Sequence, residues 1–156
     1  MQIKTNHFFE PHFLSEKLFE IAEMSYEFGS PWTIQQFYED LLNEYSNYLL
    51  LESDQLVGFL GYHSLLDEVE VYNLCVITSE QSQGYATLLM RNLEKKIMEE
   101  PYRQVFLEVR CSNKRAYQFY LTKGFEEISR RKNYYSSPVE DAIVMVKKVG
   151  IEERNE

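Results

Sequence analysis

The spacing of apolar residues changes along the chain, and each change marks a boundary between predicted elements. The first apolar residues recur at helical spacing and predict two helices, in the segments SEKLFEIAEMSYEF and TIQQFYEDLLNEY. Ser15 is a candidate N-cap of the first helix, and Thr33 with Gln36 predicts a capping box at the start of the second. We therefore expect two helices before the first strand.

From Tyr48 onward the pattern is typical of strands. NYLLLES and QLVGFLGYHSLL, with Asp54 at the turn between them, predict a hairpin. The later segments predict a strand, a helix, a strand, a short helix and a closing hairpin: EVEVYNLCVI, GYATLLMRNLEKKIMEE, RQVFLEVR, SNKRAYQFYLTKG, FEEISRRKNYY and DAIVMVKKV. The first of these strands is apolar towards its end, as a strand buried on both faces would be.

This order of elements predicts a fold class. A strand–helix–strand unit implies two parallel strands, here within a sheet that is otherwise antiparallel. We expect one mixed α/β domain that spans residues 1–156 and carries helices on both faces of its sheet.

The charge of the chain narrows the choice of partners. The formal net charge is −9, so a nucleic acid is not expected, because phosphate binding needs a basic surface. Long-range attraction favours amines and basic peptides, although an acidic surface that serves only solubility is the alternative.

Neither a metal site nor a membrane segment is expected. Cys75 and Cys111 form no CxxC pair, and His7, His12 and His63 have no metal-ligand spacing. The start of the chain lacks the apolar core of a signal peptide, and no apolar run reaches the length that a bilayer requires. We expect a cytoplasmic protein that does not contact a membrane.

A polar turn, EQSQGYATLLM, connects the strand EVEVYNLCVI directly to a helix. The first N–H groups of a helix have no intrahelical partner and carry partial positive charge, so they can bind an anion. Gly84 would let the backbone curl close to such a ligand. The motif is neither a P-loop nor a dinucleotide fingerprint, and a plain strand-to-helix turn remains the alternative.

Two further side chains are candidates for proton transfer. Alternation in VFLEVR places Glu108 inside a central strand, where a carboxylate is costly unless it is paired or used. Glu108 is therefore either a general base or the partner of Arg110 in a salt bridge. Tyr120 lies on the same helix face as Asn113 and is either a general acid or a packed aromatic residue.

The polar turn carries a resemblance to a known family. Residues 81–86, QSQGYA, are similar to the Q/R-x-x-G-x-G/A signature of the GNAT superfamily of N-acetyltransferases. The segments LEVR, SN, FY…GF, RRKNYY, EDAIVM and SPWTIQQF resemble the ribosomal-protein-alanine N-acetyltransferase (RimI) family within it. The chain departs from that family at several positions. Ser82 and Thr87 stand where the family commonly has arginine, Ala86 stands where it commonly has glycine, and residues 77–78 stand where it commonly has Asp-Pro.

This resemblance implies the GNAT acyltransferase fold, in which the parallel strand pair splays at the cofactor site, and acetyl-coenzyme A as cosubstrate. It implies that three parts of the chain hold the coenzyme. These are the backbone at the end of the strand EVEVYNLCVI (Leu74, Cys75 and Val76), the polar turn (Gln81, Ser82, Gln83, Gly84, Tyr85, Ala86 and Thr87) and Asn113 at the start of the short helix. It assigns the base to Glu108 and the acid to Tyr120. With Ser82 and Thr87 in place of two arginines, the turn would bind phosphate less tightly, whereas the backbone N–H groups that contact phosphate are unaffected.

The resemblance also implies an acceptor groove, lined by the closing hairpin and a residue near the start: Trp32, Tyr134, Tyr135 and Glu140. The alternative for this hairpin is a solvated strand pair whose Arg130, Arg131 and Lys132 protect a sheet edge. The expected function is acetylation of the N-terminal alanine of a small-subunit ribosomal protein, a basic partner that suits the acidic chain. Other N-termini, lysines or polyamines are alternative acceptors, and a non-catalytic coenzyme A-binding module is the alternative of another class. We expect a monomer or a weak homodimer.

Overall fold

The computed structural model describes residues 1–149 and places seven strands and four helices within them. In chain order these are β1 (Gln2–Thr5), α1 (Pro11–Ser25), α2 (Ile34–Leu41), β2 (Ser46–Glu52), β3 (Leu56–Leu65), β4 (Glu68–Val76), α3 (Tyr85–Met98), β5 (Gln104–Arg110), α4 (Lys114–Thr122), β6 (Glu126–Tyr135) and β7 (Glu140–Lys148). Hydrogen-bonded neighbours give the strand order β1-β2-β3-β4-β5-β7-β6. Within residues 1–149, each helix is too short or too polar to cross a lipid bilayer.

A first compact unit consists of Met1–Ser64 and Tyr72–Glu100. Strand β2 pairs antiparallel with both β1 and β3. Helices α1 and α2 pack on these strands through a core of fully or almost fully buried side chains: Leu14, Leu18, Ile21, Ala22, Phe37, Tyr48, Leu50, Phe59 and Cys75. This apolar core fixes the start of α3 and the end of β4 within one unit.

A second compact unit consists of Leu65–Val71 and the chain from Pro101 to the last described residue. Residues 68–71 of β4 pair in parallel with residues 104–107 of β5. Strand β7 then lies between β5 and β6 and is antiparallel to both. The predicted mixed sheet with one parallel strand pair is therefore confirmed.

The helix boundaries differ from the predicted ones because of local capping. Helix α1 begins at Pro11, and the carboxylate of Glu10 accepts hydrogen bonds from the backbone N–H groups of His12 and Phe13. Ser15 is therefore a buried residue inside the helix, and its predicted role as N-cap is wrong. A proline at the first helical position, preceded by a carboxylate, is the stronger start signal.

Other predictions near the start of the chain have mixed outcomes. The capping box of Thr33 and Gln36 is confirmed, but α2 ends at Leu41, several residues earlier than predicted. Strand β1 was not predicted, and its four residues pair with β2 along the edge of the sheet. The end of β4 is buried as predicted, with Asn73, Cys75 and Val76 buried and Leu74 half-buried, whereas Tyr72 in the middle of the strand is 42% exposed.

Candidate active site

The polar loop between β4 and α3 has a defined backbone. A single 3-10 turn, Thr78–Glu80, follows the strand, and the chain then passes through left-handed conformations at Ser82 (φ 66°) and Gly84 (φ 81°). Gly84 is the N-cap residue of α3. A left-handed backbone favours glycine because a Cβ atom would be strained there, so the glycine in this loop is required by the turn.

Two side-chain hydrogen bonds hold this loop on the first unit. Gln81 donates from Nε2 to the backbone carbonyl of Val76 across 2.8 Å. Thr78 donates from Oγ1 to the carbonyl of Met24, the penultimate residue of α1, across 2.6 Å. The loop is therefore tied both to the strand that it follows and to a neighbouring helix.

The start of α3 suits an anion. The first helical hydrogen bond closes between the N–H of Leu88 and the carbonyl of Gly84, so the preceding N–H groups of the first turn point out of the helix. No side chain caps this end and no acidic residue lies in its first turn, within the part of the chain described, while Lys95 and Lys96 lie in the last turn. A Cβ atom built on Gly84 meets no atom within 4 Å. A diphosphate fits these residues, because its oxygens can approach the exposed N–H groups directly.

The end of β4 is held closely against β3. A Cβ atom on Gly58 would lie 2.9 Å from the carbonyl oxygen of Cys75, so only glycine permits this approach. The thiol of Cys75 is buried in the core, and burial raises its pKa well above the ordinary value. Val76 is also buried, and Leu74 is half-buried. Packing accounts for these side chains and leaves the backbone as the part that a ligand can use.

Glu108 in the second unit is a largely buried carboxylate that forms a salt bridge. The alternation predicted for β5 is confirmed, with Val105, Leu107 and Val109 buried on one face. On the other face Glu108 is 14% exposed, and its Oε1 lies 3.0 Å from Nη1 of Arg131. Its Oε2 is buried without a hydrogen-bond partner among the described residues.

The cation that pairs with Glu108 differs from the predicted one. In the alternative that made Glu108 a salt-bridge residue, Arg110 was its partner, but Nη1 of Arg110 lies 3.1 Å from Oε2 of Glu140. The salt bridge at Glu108 is formed by Arg131, a residue assigned from sequence to a solvated hairpin. Sequence alternation cannot reveal this pair, because it depends on β7 lying between β5 and β6.

Two tyrosines extend this charged cluster. The guanidinium of Arg131 lies 4.2 Å from the ring centroid of Tyr134, and that of Arg110 lies 4.4 Å from the ring of Tyr135. Burial, followed by the negative charge of Glu108, raises the pKa of both phenols. At neutral pH Tyr134 and Tyr135 are therefore neutral hydrogen-bonding groups beside a carboxylate.

Glu140 holds the start of β7 in place. Its Oε1 accepts a hydrogen bond from the backbone N–H of Ser112, and its Oε2 pairs with Arg110. Hydrogen bonds from Ser112, with Arg110 in addition, hold the pKa of Glu140 below its usual value. This carboxylate is engaged within its own unit.

The residues predicted on α4 have structural contacts as well. Tyr120 is 8% exposed, and its ring is edge-on to those of Phe119 and Phe125, with centroids 5.5 and 5.6 Å away. Asn113 is the N-cap of α4, and its side chain accepts a hydrogen bond from the N–H of Ala116 at 3.1 Å. The expected C′ position of Gly124 is confirmed by its φ of 91° and its hydrogen bond to the carbonyl of Leu121.

Trp32 belongs to an aromatic cluster in the first unit. Its ring lies 5.2 Å from Phe37 and 5.8 Å from the half-exposed ring of Tyr72. Tyr72 in turn contacts His63 at 4.1 Å, and His63 pairs with Asp40. Sequence analysis missed Tyr72, although an aromatic residue at an exposed strand position is a usable signal.

Comparisons with known proteins give consistent results. The family model described as the acetyltransferase (GNAT) family matches residues 14–125. The [ribosomal protein bS18]-alanine N-acetyltransferase of Haemophilus influenzae is 32% identical over 133 residues, which are 83% of this chain and 89% of that protein. The crystal structure of the ribosomal-protein-S18-alanine N-acetyltransferase from Escherichia coli is similar with a TM-score of 0.83 and 25% identity, over 96% of this chain and 94% of that one.

A GNAT family acetyltransferase from Elizabethkingia anophelis, solved with acetyl-CoA bound, matches with a TM-score of 0.66 over 75% of this chain and 84% of its own. Its sequence identity is 17%, so this likeness concerns the fold alone.

Proposed function

Because the chain belongs to the acetyltransferase (GNAT) family and is thereby an acetyl-coenzyme A-dependent N-acetyltransferase, we propose that it acetylates the N-terminal alanine of ribosomal protein bS18. The observation that carries the proposal is the match to the Haemophilus influenzae enzyme of that name, which covers 83% of this chain. The charge of −9 supports a basic acceptor, because opposite charge accelerates encounter.

In this proposal the polar loop and α3 bind the coenzyme. The N–H groups at the start of α3 bind the diphosphate, and the loop residues Gln81, Ser82, Gln83, Gly84, Tyr85, Ala86 and Thr87 surround it. The backbone of Leu74, Cys75 and Val76 holds the pantetheine arm, as an added strand would be held. Bound acetyl-coenzyme A supplies the acetyl group as a thioester.

Two side chains move protons in the proposed reaction. The Oε2 atom of Glu108 accepts a proton from the ammonium group of the acceptor, directly or through water. Loss of this proton makes the amine a nucleophile. Two observations support this role: Glu108 is largely buried, and its Oε2 has no hydrogen-bond partner among residues 1–149. The hydroxyl of Tyr120 gives its proton to the leaving thiolate of the coenzyme. The low exposure of Tyr120 keeps this hydroxyl away from bulk water.

The remaining candidates contact the acceptor or the coenzyme. Tyr134 and Tyr135, in the second unit, contact the acceptor peptide in this proposal, since aromatic rings beside a carboxylate suit a cationic N-terminus. Trp32, in the first unit, is a proposed acceptor contact on the family resemblance alone. Glu140 acts by holding Arg110 and the start of β7. Asn113 caps α4 through its side-chain oxygen, so its amide nitrogen is the atom that can contact the coenzyme.

Mass spectrometry of acetylated products tests this function. The purified chain with acetyl-coenzyme A is incubated with a synthetic bS18 N-terminal peptide, with the same peptide blocked at its N-terminus, and with spermidine. We expect one acetyl increment on the free peptide alone. Acetylation of spermidine without acetylation of the peptide would overturn the proposed substrate.

Two variants test the proposed proton transfers. Glu108→Gln and Tyr120→Phe should each lower kcat by roughly 10²-fold or more, the contribution typical of positioned acid–base groups. Their affinity for acetyl-coenzyme A, measured by calorimetry, should stay near that of the unaltered protein. A wild-type rate in Glu108→Gln would remove the base role, and loss of coenzyme binding in that variant would show a structural role instead.

A further inference from the structure

The surroundings of Glu108 contain an arginine that the mechanism has not used. Arg131 lies on β6, and β7 separates that strand from β5. In the register of these strands Arg131 is opposite Ala142, and Ala142 is opposite Arg110. The small side chain of Ala142 leaves room for a long side chain to cross above β7. Arg131 spans this strand and reaches Glu108 at 3.0 Å.

We propose that Arg131 is a positioning residue for Glu108: it binds Oε1 and so keeps Oε2 available as the atom that accepts the proton. This inference rests on the proposed base role of Glu108. It follows from the different states of the two carboxylate oxygens, because one is held by a guanidinium and the other is buried without a partner among residues 1–149.

Arg131 is itself held in place. Its guanidinium lies 4.2 Å from the ring centroid of Tyr134, a distance at which a cation is attracted to an aromatic face. Its side chain is 55% exposed, whereas that of Glu108 is 14% exposed. Solvent screens the exposed guanidinium end of this salt bridge, while the carboxylate that it holds is largely buried.

Arg110 and Arg131 form salt bridges with different carboxylates, those of Glu140 and Glu108. Arg110, on the same strand as Glu108, pairs with Glu140 and stacks on Tyr135. Beside Glu108 lie Arg131, Tyr134 and Tyr135 on β6, and Val144 on β7 is opposite it in register.

The chain offers a matched control at the next residue. Arg130 is 57% exposed and pairs with Glu127 at 3.2 Å. It has the same charge, the same strand and nearly the same exposure as Arg131. Comparison of Arg131→Met with Arg130→Met therefore separates the contact with Glu108 from a general loss of positive charge.

The test measures kcat and KM at pH 7 for the wild-type chain, Arg131→Met, Arg131→Lys and Arg130→Met, with acetyl-coenzyme A and the bS18 peptide. For Arg131→Met we expect an unchanged KM for acetyl-coenzyme A and a kcat about tenfold lower, because the carboxylate of Glu108 loses the cation that orients it. Arg131→Lys should restore part of this loss, and Arg130→Met should resemble the wild type.

A double variant gives an independent readout. In the Glu108→Gln background, Arg131→Met should cause little further loss of kcat, because the two residues act as one unit. Equal kcat values for Arg131→Met and Arg130→Met would overturn the positioning role, and so would additive losses in the double variant. If Glu108→Gln itself keeps the wild-type rate, the proposed base role fails. An impaired Glu108→Gln with a normal Arg131→Met defeats only the inference about Arg131.

Discussion

Gln81 donates a hydrogen bond from its Nε2 to the backbone carbonyl of Val76 across 2.8 Å. This bond joins the first residue after the 3-10 turn to the last residue of β4, so it closes the loop on the strand that precedes it. Gln83, two residues further on, donates instead to the exposed carboxylate of Glu80 at 3.3 Å. The two glutamines of the same loop therefore have different structural roles.

Replacement of Gln81 should weaken coenzyme binding. In Gln81→Ala the carbonyl of Val76 loses a donor and the loop loses its closure, at a cost of about 1 kcal/mol for one hydrogen bond. The Kd for acetyl-coenzyme A, measured by isothermal titration calorimetry, should rise about fivefold. Gln83→Ala removes a glutamine of the same loop that bonds to Glu80 and not to the strand, and it should raise the Kd less than Gln81→Ala does. Equal effects of the two substitutions would contradict the proposed difference in role.

Replacement of Gly84 should separate backbone strain from loss of binding. Both Gly84 and Gly124 have positive φ, at 81° and 91°. Alanine at either position should cost about 1–2 kcal/mol because Cβ is strained there, which lowers the Tm by a few degrees. Only Gly84→Ala should also raise the Kd for acetyl-coenzyme A, because its new methyl group enters the open space at the start of α3.

The outcome for coenzyme binding decides between two accounts of the loop. If Gly84→Ala and Gly124→Ala are destabilised alike and both bind the coenzyme normally, the start of α3 is only a turn. The alternative that sequence analysis left open would then be the correct one.

The elements of the fold were predictable where local pattern and local chemistry agree. The capping box of Thr33 and Gln36 and the alternation of β5 depend on neighbours within a few residues, so the sequence contains their cause. The family was predicted correctly from short segments such as residues 81–86, which are local in sequence. The mixed sheet was predicted correctly from the strand–helix–strand order of the elements.

The contacts at Glu108 were not predictable in the same way. The partner of Glu108 is 23 residues away on a strand that is not its neighbour. Alternation identifies the face on which Arg131 lies, but only the strand order decides which carboxylate it reaches. Periodicity likewise placed the N-cap of α1 at Ser15, since it cannot rank one polar residue above the carboxylate of Glu10.

The salt bridge of Glu140 predicts a dependence of stability on pH. Its pKa is lower in the folded protein than in the unfolded chain, so its ionised form stabilises the fold above the unfolded value of about 4.3. That contribution disappears as the pH falls through the lower folded-state pKa. Glu140→Gln should therefore have a lower Tm than wild type at pH 7, and this difference in Tm should shrink as the pH falls below the unfolded value. A difference that does not shrink on acidification would show that the charge is not the cause.

Asp40 is the centre of a hydrogen-bond network in the first unit. It accepts hydrogen bonds from Tyr48 at 2.5 Å and from Ser46 at 2.7 Å, and His63 lies 2.6 Å from it. Burial alone would raise the pKa of Asp40, but the hydrogen bonds from His63, Tyr48 and Ser46 outweigh it, and the net pKa is lowered. The network joins α2 to strands β2 and β3.

Loss of this carboxylate should destabilise the first unit. In Asp40→Ala the hydroxyl of Tyr48, whose residue is 1% exposed, loses its acceptor. We expect a loss of about 2–4 kcal/mol, because a buried polar group without a partner keeps its full desolvation cost. Glu39→Ala, an exposed neighbour on the same helix, should change stability by less than about 0.5 kcal/mol. Urea unfolding at pH 7 measures both, and a small effect of Asp40→Ala would show that water replaces the carboxylate at no cost.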